Sequence, residues 1–319
     1  MKPQISHGEQ GAALINVLVL VGIMAALSTS LFDRLRLARH LDASRAAIDA
    51  ARSAALAAEP MIAARLHQGQ QTWPHLPAGP FRLDTPAGSA RVQLAPGGNC
   101  LNLNSTAMGP AGRTATRPLG VEQLARLLTL VEVPADEATR IASATADWID
   151  MDQQPGSGGA EDAAYARAAT PYRTASTLLA EVSEWRAIAG VTPEIHARAA
   201  PHLCALPETE LSRLNINSLT AGDAPVLAAI ANLPIATARD AIAARPVGGW
   251  TSPDQFWTQP LLAGRQLPAD VLRQIDVKDR FVRFSLATAT PGLPLEASGL
   301  FDAGTRPARL LVRRWGPDT

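Results

Sequence analysis

Apolar and polar positions change rhythm several times along the chain. A polar leader of eleven residues ends in Gly11, and from Ala12 to Phe32 no residue is charged and only Asn16 interrupts the early apolar run. At 1.5 Å rise per residue, about twenty apolar residues match a bilayer core of roughly 30 Å. The pattern continues as LFDRLRLARHLDASRAAIDAARSAALAAEPMIAARL (31–66), with apolar residues recurring three and four apart and no proline before Pro60. This predicts one long helix, its first half in lipid and its second half amphipathic. A cleavable secretory signal has a shorter apolar stretch of roughly 7–15 residues, closed by a small-residue cleavage site. No A-x-A followed by a polar break closes this one.

After a linker dense in Gly and Pro, QGQQTWPHLPAGP (68–80), the period shortens. FRLDTPAGSARVQLAP (81–96) predicts two strands around Pro86-Ala87-Gly88, and GGNCLNLNS (97–105) sets Leu101 and Leu103 on one side, Asn102 and Asn104 on the other. Residues 119–277 read as short Ala/Leu helices broken by Pro and Gly, with almost no strand signal. Strand character returns at RFVRFSLATA (280–289), LEASGLFDA (295–303) and ARLLVRRW (308–315). A helix, strands, a helical block and strands again define an α+β domain with a helical domain inserted into it. The block repeats itself weakly: 214–256 has a helix–hairpin–helix texture, 179–206 looks like a shorter relative, and 124–150 a more distant one.

Charge narrows the function classes. The 29 Lys+Arg balance the 29 Asp+Glu, which argues against a broadly basic nucleic-acid surface. The helix–hairpin–helix texture raises DNA binding, because such hairpins offer backbone N–H groups to phosphate with Lys or Arg nearby. Here residues 232–236 lack the Gly-x-Gly of close approach, and 214–256 carries only Arg239 and Arg245 against Asp223, Asp240 and Asp254. A packing module is the better reading. The six histidines form no HxxxH or HExxH pattern, with His196 and His202 read as surface groups, and no GxSxG or phosphate loop is present. No catalytic residue is assigned, and the chain does not read as an enzyme.

The most chemical stretch is ADWIDMDQQPGSGGAEDAAYA (146–166). Asp147, Asp150, Asp152, Glu161 and Asp162 surround QQPGSGG with no Lys among them. They are either a solvated acidic loop after a helix or the hard-oxygen ligand set of a Ca²⁺ site, although the spacing is not that of an EF-hand. Cys100 and Cys204 are two unrelated thiols in a cytosolic chain and a disulfide in an exported one.

Together these segments resemble one family, the K-type minor pseudopilins of the bacterial type II secretion system. The resemblance is carried by the Gly11 leader with its apolar helix, DWIDMD…GGAEDAAY, EVSEWRAIAGVTPEIHARAAPHLCALP, LNINSLTA, and ARPVGGW followed by SPDQF. It implies a leader (1–11) cut by the prepilin peptidase between Gly11 and Ala12, with methylation of the new terminus, and a transmembrane and amphipathic helix (12–68). A pilin-like α+β domain would be split into 69–106 and 279–319 by an inserted helical domain (107–278). Asn16 stands at the fifth mature position, where most pilin-like subunits carry Glu, which points to the filament tip. The implied partners are the I- and J-type minor pseudopilins, the peptidase, the inner-membrane secretion platform and secreted substrate, with no nucleic acid. The implied location is the bacterial inner membrane, single-pass, with the globular part in the periplasm. There a Cys100–Cys204 disulfide and a structural Ca²⁺ on the five acids are expected. The rival reading is a membrane-anchored helix–hairpin–helix DNA-uptake protein.

Overall fold

Helix α1 (His7–Thr72) is the spine of the molecule. The computed structural model describes residues 7–72, 76–77, 79–110, 112–289 and 294–316, with side chains in α1 from Leu14 to Gly69. Its apolar first half is exposed, and by length and composition it can cross a membrane. One face then goes under cover at Ala51, Ala54, Ala55, Ala58, Ile62 and Leu66, spaced three and four apart. The alanines let the helix lie close on the sheet. Pro60 removes one helical N–H, and the carbonyl it frees belongs to Leu56 on the exposed side of the helix. Beside it Glu59, 8% exposed, takes two hydrogen bonds of 2.5 Å from Arg313, tying helix to sheet.

In chain order α1 leads to β1 (Phe81–Thr85), β2 (Gly88–Pro96), β3 (Leu101–Asn102), β4 (Ala107–Met108), β5 (Ala115–Thr116), α2 (Pro118–Leu130), α3 (Ala135–Ile149) and α4 (Asp162–Tyr165). Then come α5 (Pro193–Ala199), β6 (Leu203–Cys204), β7 (Leu214–Asn215), α6 (Ala224–Ala231), α7 (Ile235–Ala243), α8 (Pro253–Trp257) and α9 (Ala269–Leu272). The chain finishes with β8 (Ile275–Asp276), β9 (Phe281–Thr288), β10 (Glu296–Asp302) and β11 (Arg309–Trp315). Five strands form one antiparallel sheet in the order β1-β2-β9-β10-β11. The period-2 pattern holds: Val92 and Leu94 face Leu286 and Phe284 across the β2–β9 pair, and these residues pack with Ile62 and Leu66 in one core. This is a pilin-like fold with a helical insertion between β2 and β9.

The insert is a tandem pair. One unit enters through Leu101-Asn102-Leu103-Asn104-Ser105, the other through Leu214-Asn215-Ile216-Asn217-Ser218. Each runs through a helical hairpin (α2–α3, α6–α7), then a buried aromatic (Trp185, Phe256) and a short helix (α5, α9). Each closes with a parallel two-residue bridge, β3 on β6 and β7 on β8. Both hairpins turn the same way. Glu132 and Asn232 have φ of 67° and 49°, and the next amide reaches back five residues, Val133 to Leu128 at 3.0 Å and Leu233 to Ala228 at 2.9 Å.

Three sequence expectations change here. LNLNS is not a two-sided strand: Leu101 to Thr106 are all buried, because the asparagines are hydrogen-bonded inside. The block 119–277 does contain strands, too short to show a period. The repeat is also longer than its hairpins, since 124–150 matches α6–α7 while 179–206 matches the segment from Trp250 to β8.

Candidate functional site

The acidic segment begins where α3 ends. The helix stops at Ile149 because Asp150 turns extended, at φ −73° and ψ 172°. Asp147, 1% exposed, already has partners: its carboxylate accepts from Gly156 N at 3.0 and 3.2 Å and from the backbone of Ala160. A Cβ on Gly159 would fall 1.9 Å from Asp147 Oδ2, so only glycine fits there. Asp162 is also engaged, accepting from Thr174 N and Oγ1 at 2.9 Å each.

The other three converge. Oxygen atoms of Asp150, Asp152 and Glu161 lie within 4.8 Å of one another. Asp150 Oδ2 accepts from Thr116 Oγ1 at 2.7 Å, while Asp150 Oδ1 and both oxygens of Glu161 are buried without a hydrogen-bond partner. Burial pushes the Asp147 and Asp150 carboxyls up. Glu161 is pushed up to about 7, first by burial and then by the charges of Asp147, Asp150, Asp152 and Asp162. Of the five predicted ligands the structure thus gathers three and turns two into loop fasteners. Orphaned buried carboxylate oxygens are costly, and a hard divalent cation is the partner whose chemistry suits them.

Sequence reasoning missed the aromatic clamp around this loop. Trp148 and Tyr165 meet edge-on at 5.2 Å, and Tyr165 and Tyr172 lie 5.0 Å apart. Both tyrosines of the chain are here, which was the available signal. His196 and His202, read as surface groups, are half-buried instead. His196 lies 6.2 Å from the Trp185 ring, and burial holds His202 below the usual imidazole range.

Cys100 and Cys204 form a disulfide, with Cα atoms 5.7 Å apart across a separation of 104 residues. It joins the two ends of the first unit beside the β3–β6 bridge. Arg280 then pins the link between units to the sheet, at 2.7 Å from Glu208 and 3.2 Å from Asp302. Gly11 and Ala12 fall in the backbone of α1, but their side chains lie outside the described residues, as do residues 1–6 altogether.

The second unit turns its cation inward. Arg245 donates from Nε to Ile216 O at 3.1 Å and from Nη2 to Leu219 O. It therefore closes the unit's own entry, which leaves exposed Arg239, beside exposed Asp240, as the other arginine of 214–256. The DNA-uptake reading has no support in this geometry.

An exposed apolar helix laid on an antiparallel sheet, with a tandem helical insert and a buried acidic centre, defines a membrane-anchored pilin-like subunit. Residues 99–208 and 214–278 each match a family model described as Type II secretion system (T2SS), protein K. Type II secretion system protein K of Pectobacterium carotovorum subsp. carotovorum is 31% identical over 76% of this chain and 77% of its own. That of Pseudomonas aeruginosa is 31% identical over 78% of this chain and 76% of its own. The crystal structure of the GspK-GspI-GspJ complex from enterotoxigenic Escherichia coli superposes with a TM-score of 0.69 at 27% identity. The match covers 84% of this chain and 96% of that one. The chain belongs to the protein K family of the type II secretion system, the K-type minor pseudopilins.

Proposed function

We propose that this subunit stands at the tip of the pseudopilus, where with the I- and J-type minor pseudopilins it starts and caps the filament that exports folded proteins. The observation that carries this is the match to a K chain solved in complex with GspI and GspJ. The work is structural rather than catalytic. Helix α1 anchors it once in the inner membrane, on the secretion platform, with the sheet and insert in the periplasm, within reach of secreted substrate. The prepilin peptidase cuts between Gly11 and Ala12 and the new terminus is methylated. Mass spectrometry of the mature chain then finds Ala12 first; a terminus after residue 28 would mean an ordinary secretory signal.

Ca²⁺ occupies the acidic centre in this reading, held by Asp150, Asp152 and Glu161, with Asp147 and Asp162 shaping the loop. The three orphaned buried oxygens support it. The ion supplies charge neutralisation and loop order and activates no water. The assembly reading is tested by co-expressing the full chain with the I- and J-type subunits of the same system. Co-elution as one species in detergent is expected, and separate elution of all three overturns it.

A further inference from the structure

Where the two units of the insert meet there is a cavity of about 520 Å³, lined by Met108, Arg117, Leu119, Arg213, Asp270 and Arg273 among others. Arg117 precedes α2, and its Nε is buried without an acceptor. Arg213 is exposed and forms no ion pair among the described residues, while Arg273 is paired with Asp270. The thirteen-residue α2 has no side-chain cap and no acid in its first turn. Its first N–H groups therefore add positive potential on the same side. Guanidinium groups pair with planar oxyanions through two parallel N–H donors, so the free groups here suit a carboxylate.

The charge balance sets the size of the guest. Three arginines face Glu210 and Asp270 on the walls, which leaves one net positive charge. That matches a single carboxylate, whereas a phosphorylated or polyanionic surface would carry more negative charge than the site offsets. Apart from Gln274, the rest of the lining is apolar, with Pro118, Leu119, Leu211 and a Met108 that is 41% exposed. We propose that this cavity binds the C-terminal carboxylate of a partner polypeptide, with the apolar last side chain seated on Met108 and Leu119. The inference stands on the cavity alone and is independent of the calcium and assembly readings.

The test uses the full chain in detergent micelles, labelled with ¹⁵N-arginine, so that the Nε–H signals of Arg117 and Arg213 are read directly. The probe is N-acetyl-leucyl-leucine, compared with its C-terminal amide and with acetate. The free acid should shift both signals saturably, and the amide should leave them in place. Arg213→Ala should weaken binding by roughly tenfold or more, because a charge-assisted pair is lost from an exposed position that does not support the fold. Arg117→Gln should do the same; if it fails to fold, Arg213→Ala decides alone. Equal shifts from acid and amide, or no saturable shift, overturn the proposal. So does acetate binding as tightly as the dipeptide, which would mean an adventitious ion only.

Discussion

The two units of the insert share a frame and differ in how they close it. In the second, Asn217 accepts from Trp250 N at 2.7 Å and donates to Trp250 O and Val277 O at 2.9 and 3.2 Å. In the first, Asn104 accepts from Leu179 N at 2.8 Å and donates to Leu179 O and Leu206 O at 2.9 and 2.8 Å. Beyond the hairpin they part. The second unit returns within seven residues, 244–250, through Gly249 at φ 76°, and Arg245 satisfies two of its own carbonyls. The first takes a long acidic excursion that leaves three carboxylate oxygens unmet, and a disulfide joins its ends. One unit closes on itself with a side chain; the other adds a covalent link and leaves a cluster of buried carboxylate oxygens unpaired.

The largest break in that comparison should come from the disulfide. Closing a loop of 104 residues constrains the unfolded chain, and removing such a link costs about 2–5 kcal/mol. Cys100→Ser with Cys204→Ser should lower the melting temperature and speed hydrogen exchange at Leu179 and Leu206 while sparing Trp250. Equal acceleration at Trp250 would show that the units unfold as one, and the asymmetry would go.

The next effect concerns what is shared. Asn104→Ala and Asn217→Ala each strand one buried amide and two carbonyls, so each should cost about 2–4 kcal/mol by denaturant titration. The two losses should agree to about 1 kcal/mol. A cheap Asn217→Ala beside a costly Asn104→Ala would mean that the repeat is one of shape and not of energetics.

These asparagines also mark where sequence reading stopped. The long helix and the five strands were legible because a long apolar run and a period of two are local signals. The turn expected at 86–88 is there, with 86–87 between the strands and Gly88 opening β2 opposite Thr85. Asn102 and Asn104 read as the face opposite Leu101 and Leu103, because alternation implies two sides. Their partners lie 75 to 110 residues away, as with Leu179 and Ser212, and no local pattern announces that. Two-residue bridges such as β7–β8 have no period to detect. The acidic site was visible as composition. Which acids converge was not, because Gly156 and Thr174, the donors that divert Asp147 and Asp162, are placed by the fold.

The smallest expected effect, and the one that reports on the ion, is the coupling of calcium to pH. With chelator present, folded Glu161 holds its proton up to about 7, whereas the unfolded chain releases it near the ordinary 4.5. The folded state therefore binds more protons across that window, so stability is full below about pH 4.5 and declines as pH rises towards 7. Asp147 and Asp150, also raised by burial, add slope of the same sign. Calcium must displace those protons to bind, so its stabilisation should be absent at pH 4.5 and grow through the same interval. Free ion at ten times its dissociation constant adds about 1.4 kcal/mol. Melting curves from pH 4.5 to 8, with chelator and across a calcium titration, should converge at the acid end and separate above it. Glu161→Gln should flatten the chelator curve and remove most of the calcium gain, because the amide neither titrates there nor neutralises a cation. The second unit has no comparable acids and should show neither effect in hydrogen exchange at Trp250. Curves that coincide at every pH would leave the first unit's loop with no ion to complete it.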